Sequence, residues 1–96
     1  MAAIRADLLL PGQVRSLKER RSIVSPIVTG LRRSFEVSAA DVSDPVLPGR
    51  AQIGISAVSG SPGHAQAVLD GVERWLSERP EVDLLSVQRR LFGLDD

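Results

Sequence analysis

The sequence lacks several residue types on which whole classes of protein depend. Its 96 residues include no cysteine and a single histidine, His64. Disulfide scaffolds and thiolate catalysis are therefore excluded, and a zinc site would lack its usual ligands. We expect His64 to lie at the solvent edge of a helix, with no metal and no other cofactor. The missing cysteines also fit a reducing compartment, and we expect a cytoplasmic protein.

Long apolar runs and aromatic residues are scarce as well. No run approaches the roughly 18 apolar residues of a membrane span, and the first residues lack the basic and apolar regions of a signal peptide. We therefore expect no membrane association. Aromatic residues make up only 3% of the chain, which disfavours recognition of single-stranded RNA by base stacking. The only tryptophan, Trp75, is predicted to pack at the edge of a helix stripe rather than to bind a partner.

The formal net charge of zero conceals an uneven distribution. Residues 15–33 hold six basic groups and one acidic group, a balance of +5. Residues 36–83 hold three basic groups and eight acidic groups, a balance of −5. Such a split indicates an oriented electrostatic surface, with the positive part concentrated on one segment.

That basic segment, from Ser16 to Phe35, is predicted to be one long amphipathic helix. Its apolar residues fall within an arc of about 100° on the helical wheel, and Ser16 with Glu19 has the spacing of a capping box. Pro26 and Gly30 disfavour a helix. We expect a kink near Pro26, and we expect the burial of the apolar arc to outweigh the cost of both residues.

Alternation of apolar and polar residues predicts four strands. Two segments that contain Pro and Gly are predicted to be a loop, at Val42–Gly49, and a turn, at Gly60–Gly63. The turn begins a second helix, capped by Ser61 and ended by Pro80. Leu94–Asp96 reads as a tail. The predicted strands are Ala2–Leu10, Phe35–Asp41, Arg50–Val58 and Val82–Phe92.

The resulting order, β-α-β-β-α-β, is that of a ferredoxin-like α+β fold. We predict one domain over residues 1–96, a two-layer sandwich with a four-stranded antiparallel sheet in the order 4-1-3-2. Right-handed connections place both helices on one face of the sheet and leave the other face open.

Several short motifs follow one another along the chain: Pro11-Gly12, then R-S-L-K-x-R-R at Arg15–Arg21, F-x-V-S at Phe35–Ser38 and R-A-x-I-G at Arg50–Gly54. Together these motifs resemble the small bacterial YlxP-like family, a domain of unknown function. The resemblance implies a ferredoxin-like fold and a gene neighbourhood of translation and ribosome-maturation factors. It supplies no established catalytic residues.

The basic segment suggests a first hypothesis for function, a non-enzymatic module that binds structured RNA or ribosomal particles. Lacking an aromatic platform, it would contact backbone and shape rather than base sequence. Arg20 alone falls inside the apolar arc, where it would form an ion pair with a sheet-edge carboxylate or reach a phosphate. The candidate nucleic-acid-binding residues are Arg15, Lys18, Arg20, Arg21, Arg32 and Arg33.

The open sheet face suggests a second hypothesis, a protein–protein interaction or homodimerisation module. Leu9 and Val58 are predicted on that face, joined by Leu84 and Phe92 from the fourth strand, and such apolar patches often mark interfaces.

The third hypothesis is that the protein is an enzyme. The loop Leu10–Arg15 lies where some domains of this topology bind a phosphate. Because the sequence has no asparagine to position water, we disfavour a phosphatase-like site and expect no enzymatic activity.

Overall fold

The computed structural model of the chain describes residues 1–92, so the tail predicted at Leu94–Asp96 lies outside the described residues. The elements follow the predicted β-α-β-β-α-β order. Their bounds are β1 Ala2–Leu9, α1 Leu17–Ser34, β2 Ser38–Asp41, β3 Arg50–Ala57, α2 Pro62–Ser77 and β4 Asp83–Leu91.

The four strands form one antiparallel sheet in the order β2-β3-β1-β4, which confirms the predicted arrangement and the ferredoxin-like α+β fold. The two central strands, β1 and β3, pair over their whole length, from Ala2 opposite Ala57 to Leu9 opposite Arg50. The short β2 and the longer β4 are the two edges of the sheet.

The core lies between the sheet and the two helices. Alternate residues of β1 and β3 are buried beneath the helices, and they meet the apolar stripes of α1 and α2. The largest fully buried side chains are Leu8, Ile27, Leu31, Ile53, Leu69 and Leu76, with Val24 and Val72. Neither helix of the described chain has the length and apolar character needed to cross a membrane.

Helix α1 runs unbroken through Pro26 and Gly30 and ends one residue earlier than predicted. Phe35 has extended backbone angles and donates its N–H to the carbonyl oxygen of Leu31, so it caps the helix rather than extending it. Strand β2 then begins at Ser38, three residues later than the alternation of the sequence predicted.

The register of β4 contains a feature that the sequence pattern did not reveal. Asp7 lies opposite Ser86, but the next residue, Leu8, lies opposite Leu84, which leaves Leu85 as the extra residue of a β-bulge. A one-residue shift exchanges the two faces of a strand. The bulge therefore decides which side chains of β4 face the helices.

Candidate nucleic-acid interface

The interface predicted on α1 begins at the helix N-terminus. Ser16 has extended backbone angles, and its hydroxyl oxygen accepts the backbone N–H of Glu19 at 3.1 Å. The same hydroxyl donates to the Glu19 carboxylate at 3.0 Å. The predicted cap is therefore present, although the Glu19 side chain bonds the Ser16 hydroxyl rather than its backbone. This cap fixes the direction in which the first turns project their basic side chains.

Three basic residues at this end of α1 point into solvent. Arg15, Lys18 and Arg21 are all exposed, and Lys18 and Arg21 are neighbours on one helix face because they are three positions apart. Within residues 1–92 none of the three forms a salt bridge, since the ion pairs there all involve Arg89. We call Arg15, Lys18 and Arg21 the basic cluster.

Arg20 has a different environment, since only 8% of its surface is exposed. One guanidinium nitrogen donates to the carbonyl oxygens of Asp44 and Leu47 at 2.7 and 3.0 Å. The expected ion pair with a carboxylate is therefore wrong, and the partners are backbone carbonyls of the loop between β2 and β3. Arg20 holds this loop against α1 through these hydrogen bonds. Because its side chain is buried there, Arg20 is not part of the exposed surface formed by the basic cluster.

The two remaining candidate arginines lie near the other end of α1. Arg32 donates from two nitrogens to the carbonyl oxygen of Ala39 in β2, at 3.0 and 2.6 Å. Arg33 is exposed. It lies twelve positions beyond Arg21, which is about 18 Å along the helix. The six predicted residues thus divide into a cluster of three, two arginines engaged by backbone carbonyls, and Arg33 at a distance.

The second predicted interface is the open sheet face. The structure places two of its predicted residues at opposite ends of the sheet. Leu9 is 41% exposed at one end of β1, whereas Val58 is 80% exposed beyond the other end of the adjacent β3. These ends are separated by about 23 Å, seven strand residues. The surface between them is formed by small and polar residues of the two central strands, Ala3, Arg5, Asp7, Gln52, Gly54 and Ser56.

The prediction that Leu84 lies on the open face is wrong. The bulge at Leu85 sets Leu84 opposite Leu8, whose side chain is buried beneath the helices, and Leu84 packs against the same core. Phe92 lies on the open side, where it borders a shallow depression with Ala3 and Arg5.

Sequence reasoning missed a companion of Phe92. The guanidinium of Arg90 lies over the Phe92 ring, 5.5 Å from its centre, an arrangement in which a cation is attracted to the ring face. The signal was present, because residues two positions apart on a strand share a face. The two side chains give the open face one mixed cationic and aromatic corner.

The remaining candidates for chemistry are dispersed. His64 is exposed in the first turn of α2, where its backbone N–H bonds the Ser61 hydroxyl at 3.3 Å. Residues 1–92 bring no three histidine, cysteine or acidic side chains together in a way that could hold a metal ion. Trp75 is half-buried and packs against the core.

Over residues 1–92, the fold and the surface together define a small ferredoxin-like α+β domain with an exposed basic cluster and a sheet face that the two helices leave open. The family described as a protein of unknown function, DUF503, matches residues 1–89, and the chain belongs to that family. A comparison with curated proteins finds none that matches.

Proposed function

We propose that this protein is a non-enzymatic cytoplasmic module that binds structured RNA, free or in ribosomal particles, through the basic cluster. The observation that carries the proposal is the location of Arg15, Lys18 and Arg21 at the N-terminus of α1. The helix dipole is positive there and disfavours a cation in the first turn, such as Lys18, by about 0.3–1 kcal/mol. An arrangement with that cost is explained if it serves to attract a polyanion.

The chemistry of the cluster suits phosphate. Arginine offers two parallel donors to a phosphate, lysine offers a flexible ammonium, and the first turn of a helix presents free backbone N–H groups to anions. The resemblance to YlxP-like proteins, with their neighbourhood of translation factors, supports RNA as the polyanion. Contacts of this kind read the backbone and shape of RNA and are nearly indifferent to base sequence.

The proposal predicts weak and steeply salt-dependent binding. Each phosphate contact releases counterions, so three contacts give a slope of about −2 to −3 for log K against log salt. Reversing two charges with Lys18→Glu and Arg21→Glu should lower affinity at least about tenfold and reduce the slope by about two. Binding of a structured RNA measured by fluorescence anisotropy across a salt series checks both effects.

A matched control variant separates the effect of the basic cluster on RNA binding from the effect of net charge. The double variant Arg74→Glu with Arg90→Glu makes the same change in charge at exposed positions away from α1. It should retain most of the affinity of the wild type. Equal losses for the two double variants, or no binding by the wild type at low salt, would contradict the proposal.

The open sheet face remains a second candidate, as a surface for a partner protein or a second copy. The 80% exposure of Val58 favours it, since a valine so exposed gains from being covered. The test is sedimentation of the Val58→Lys variant beside the wild type. An unchanged profile at high concentration would dispose of self-association through this face.

A further inference from the structure

The edge strand β4 offers a binding surface of a different kind. It is nine residues long, whereas β2 on the opposite edge has four. Within residues 1–92 it pairs with β1 alone. A long edge strand presents a row of unpaired backbone groups on which another strand can add.

Contacts at the end of β4 reveal which backbone groups point outward. The Phe92 N–H donates to the Met1 carbonyl oxygen at 2.7 Å, and the N-terminal ammonium of Met1 donates to the Phe92 carbonyl oxygen at 3.0 Å. Because inward and outward residues alternate along an antiparallel ladder, Arg90, Gln88 and Ser86 also turn their N–H and C=O groups toward β1. It follows that the outward row belongs to Val87, Arg89 and Leu91.

Charged side chains on an edge strand commonly prevent another strand from pairing with it. In β4 the charged residue among the three outward-facing ones is Arg89, and acidic residues of α2 compensate its charge. Arg89 binds Asp70 at 2.7 Å and Glu73 at 2.6 Å, both on α2 of the same chain. Burial alone would lower the pKa of Arg89, but the hydrogen bonds to Glu73 and Asp70, with their negative charges, raise it overall. The hydrogen bonds to Asp70 and Glu73 hold the Arg89 side chain against α2 rather than across the edge.

We propose that β4 pairs with β4 of a second copy of this chain, antiparallel about a twofold axis at Gln88. A twofold interface must be self-complementary, and this register satisfies that condition. It sets Val87 opposite the second copy's Arg89, so the outward backbone groups of both meet. The two Gln88 side chains meet on the axis; Oε1 of each accepts from Arg5 of its own chain at 2.8 Å, and the amide N–H groups remain to bond across the axis.

The same register brings together the most exposed apolar residues of β4. Leu85 and Leu91 are 45% and 49% exposed, and each faces the other across the dimer. Centring the axis on Val87 would place Leu85 opposite Arg89, and centring it on Arg89 would oppose two like charges. The dimer forms an eight-stranded sheet and leaves both the open face and the basic cluster uncovered.

A single introduced cysteine tests this register directly, because the chain has no cysteine of its own. Gln88 would lie opposite itself in a pair with Cα atoms about 4.5 Å apart, within reach of a disulfide. Gln88→Cys should therefore cross-link to a dimer under mild oxidation. In the control Ser86→Cys the two sulfurs would belong to residues four positions apart, about 13 Å. Cross-linking at equal rates, or in neither variant, would overturn the proposal.

Two substitutions at one position separate the backbone contribution from that of the side chain. Arg89→Pro removes an outward N–H that takes no part in the β1–β4 ladder, whereas Arg89→Ala removes the side chain and keeps the N–H. Sedimentation at high concentration should give twice the monomer mass for the wild type and for Arg89→Ala, and the monomer mass for Arg89→Pro. A monomeric wild type, or a dimeric Arg89→Pro, would contradict the pairing.

Discussion

Trp75 fills the space between the two helices because residue 30 has no side chain. A Cβ atom on Gly30 would lie 2.9 Å from both Cζ2 and Cη2 of the Trp75 ring. The ring cannot yield easily, since the Arg79 guanidinium lies 4.0 Å from its centre and Arg79 also bonds the Trp75 carbonyl oxygen at 3.0 Å. A glycine that weakens α1 in isolation is thus required by the packing.

Gly30→Ala should therefore destabilise the protein. Overpacking costs about 1–3 kcal/mol, of which the better helix propensity of alanine returns about 1, so we expect a net loss of about 1 kcal/mol. Urea unfolding followed by the fluorescence of Trp75, the only tryptophan, measures it. Gly12→Ala is the control, because a Cβ there meets nothing within 4 Å. A Gly30→Ala variant as stable as the wild type would show that the helices can separate freely.

Arg20 illustrates how a charge can serve the fold instead of a ligand. Its guanidinium binds two loop carbonyls. The Arg20→Met variant keeps the apolar stem and removes the donors. We expect a loss of about 2 kcal/mol in unfolding free energy, and faster hydrogen exchange in the loop Val42–Gly49.

The exposed neighbour provides the comparison for that variant. Arg21→Met should change stability by less than about 0.5 kcal/mol, as surface substitutions usually do, but should weaken RNA binding. Arg20→Met, in contrast, should lower the free energy of unfolding and leave RNA binding unchanged. Reduced RNA affinity for Arg20→Met with an unchanged loop would instead favour a direct phosphate contact by Arg20.

At the scale of the element, the N-terminal cap of α1 links stability to the proposed interface. Ser16→Ala removes the acceptor of the Glu19 N–H and should cost about 1 kcal/mol. Ser25→Ala, at an exposed interior position of the same helix, should be neutral or slightly stabilising because alanine is the better helix former. Thermal unfolding of the two variants makes the comparison, and equal melting temperatures would mean that the cap contributes nothing.

Strand β4 shows where periodicity stops being informative. The alternation of the sequence predicted the strand itself, but not the bulge at Leu85, because an inserted residue changes the face of its neighbours without changing the composition. The assignment of Leu84 to the open face failed for this reason. Phe92, beyond the strand end, was placed correctly because the register is regular from Ser86 onward.

At the scale of the whole molecule, the fold could be predicted from the sequence because each helix and strand has its own hydrophobic period and boundary residues. The candidate site could be predicted only in part. Exposure of the basic cluster follows from the helical wheel, but the partners of Arg20 lie 24 and 27 residues away. Their carbonyl positions depend on the shape of a loop, which no local pattern in the sequence specifies.

The most direct test of the central proposal is a map of the RNA contact on the protein surface. Titrating a structured RNA into the isotopically labelled protein, at low salt, and following backbone amide chemical shifts would give that map. The proposal predicts shifts concentrated at Arg15–Arg21, in the first turns of α1, that disappear as salt is raised. Shifts concentrated on the open sheet face, or none at any salt concentration, would contradict it.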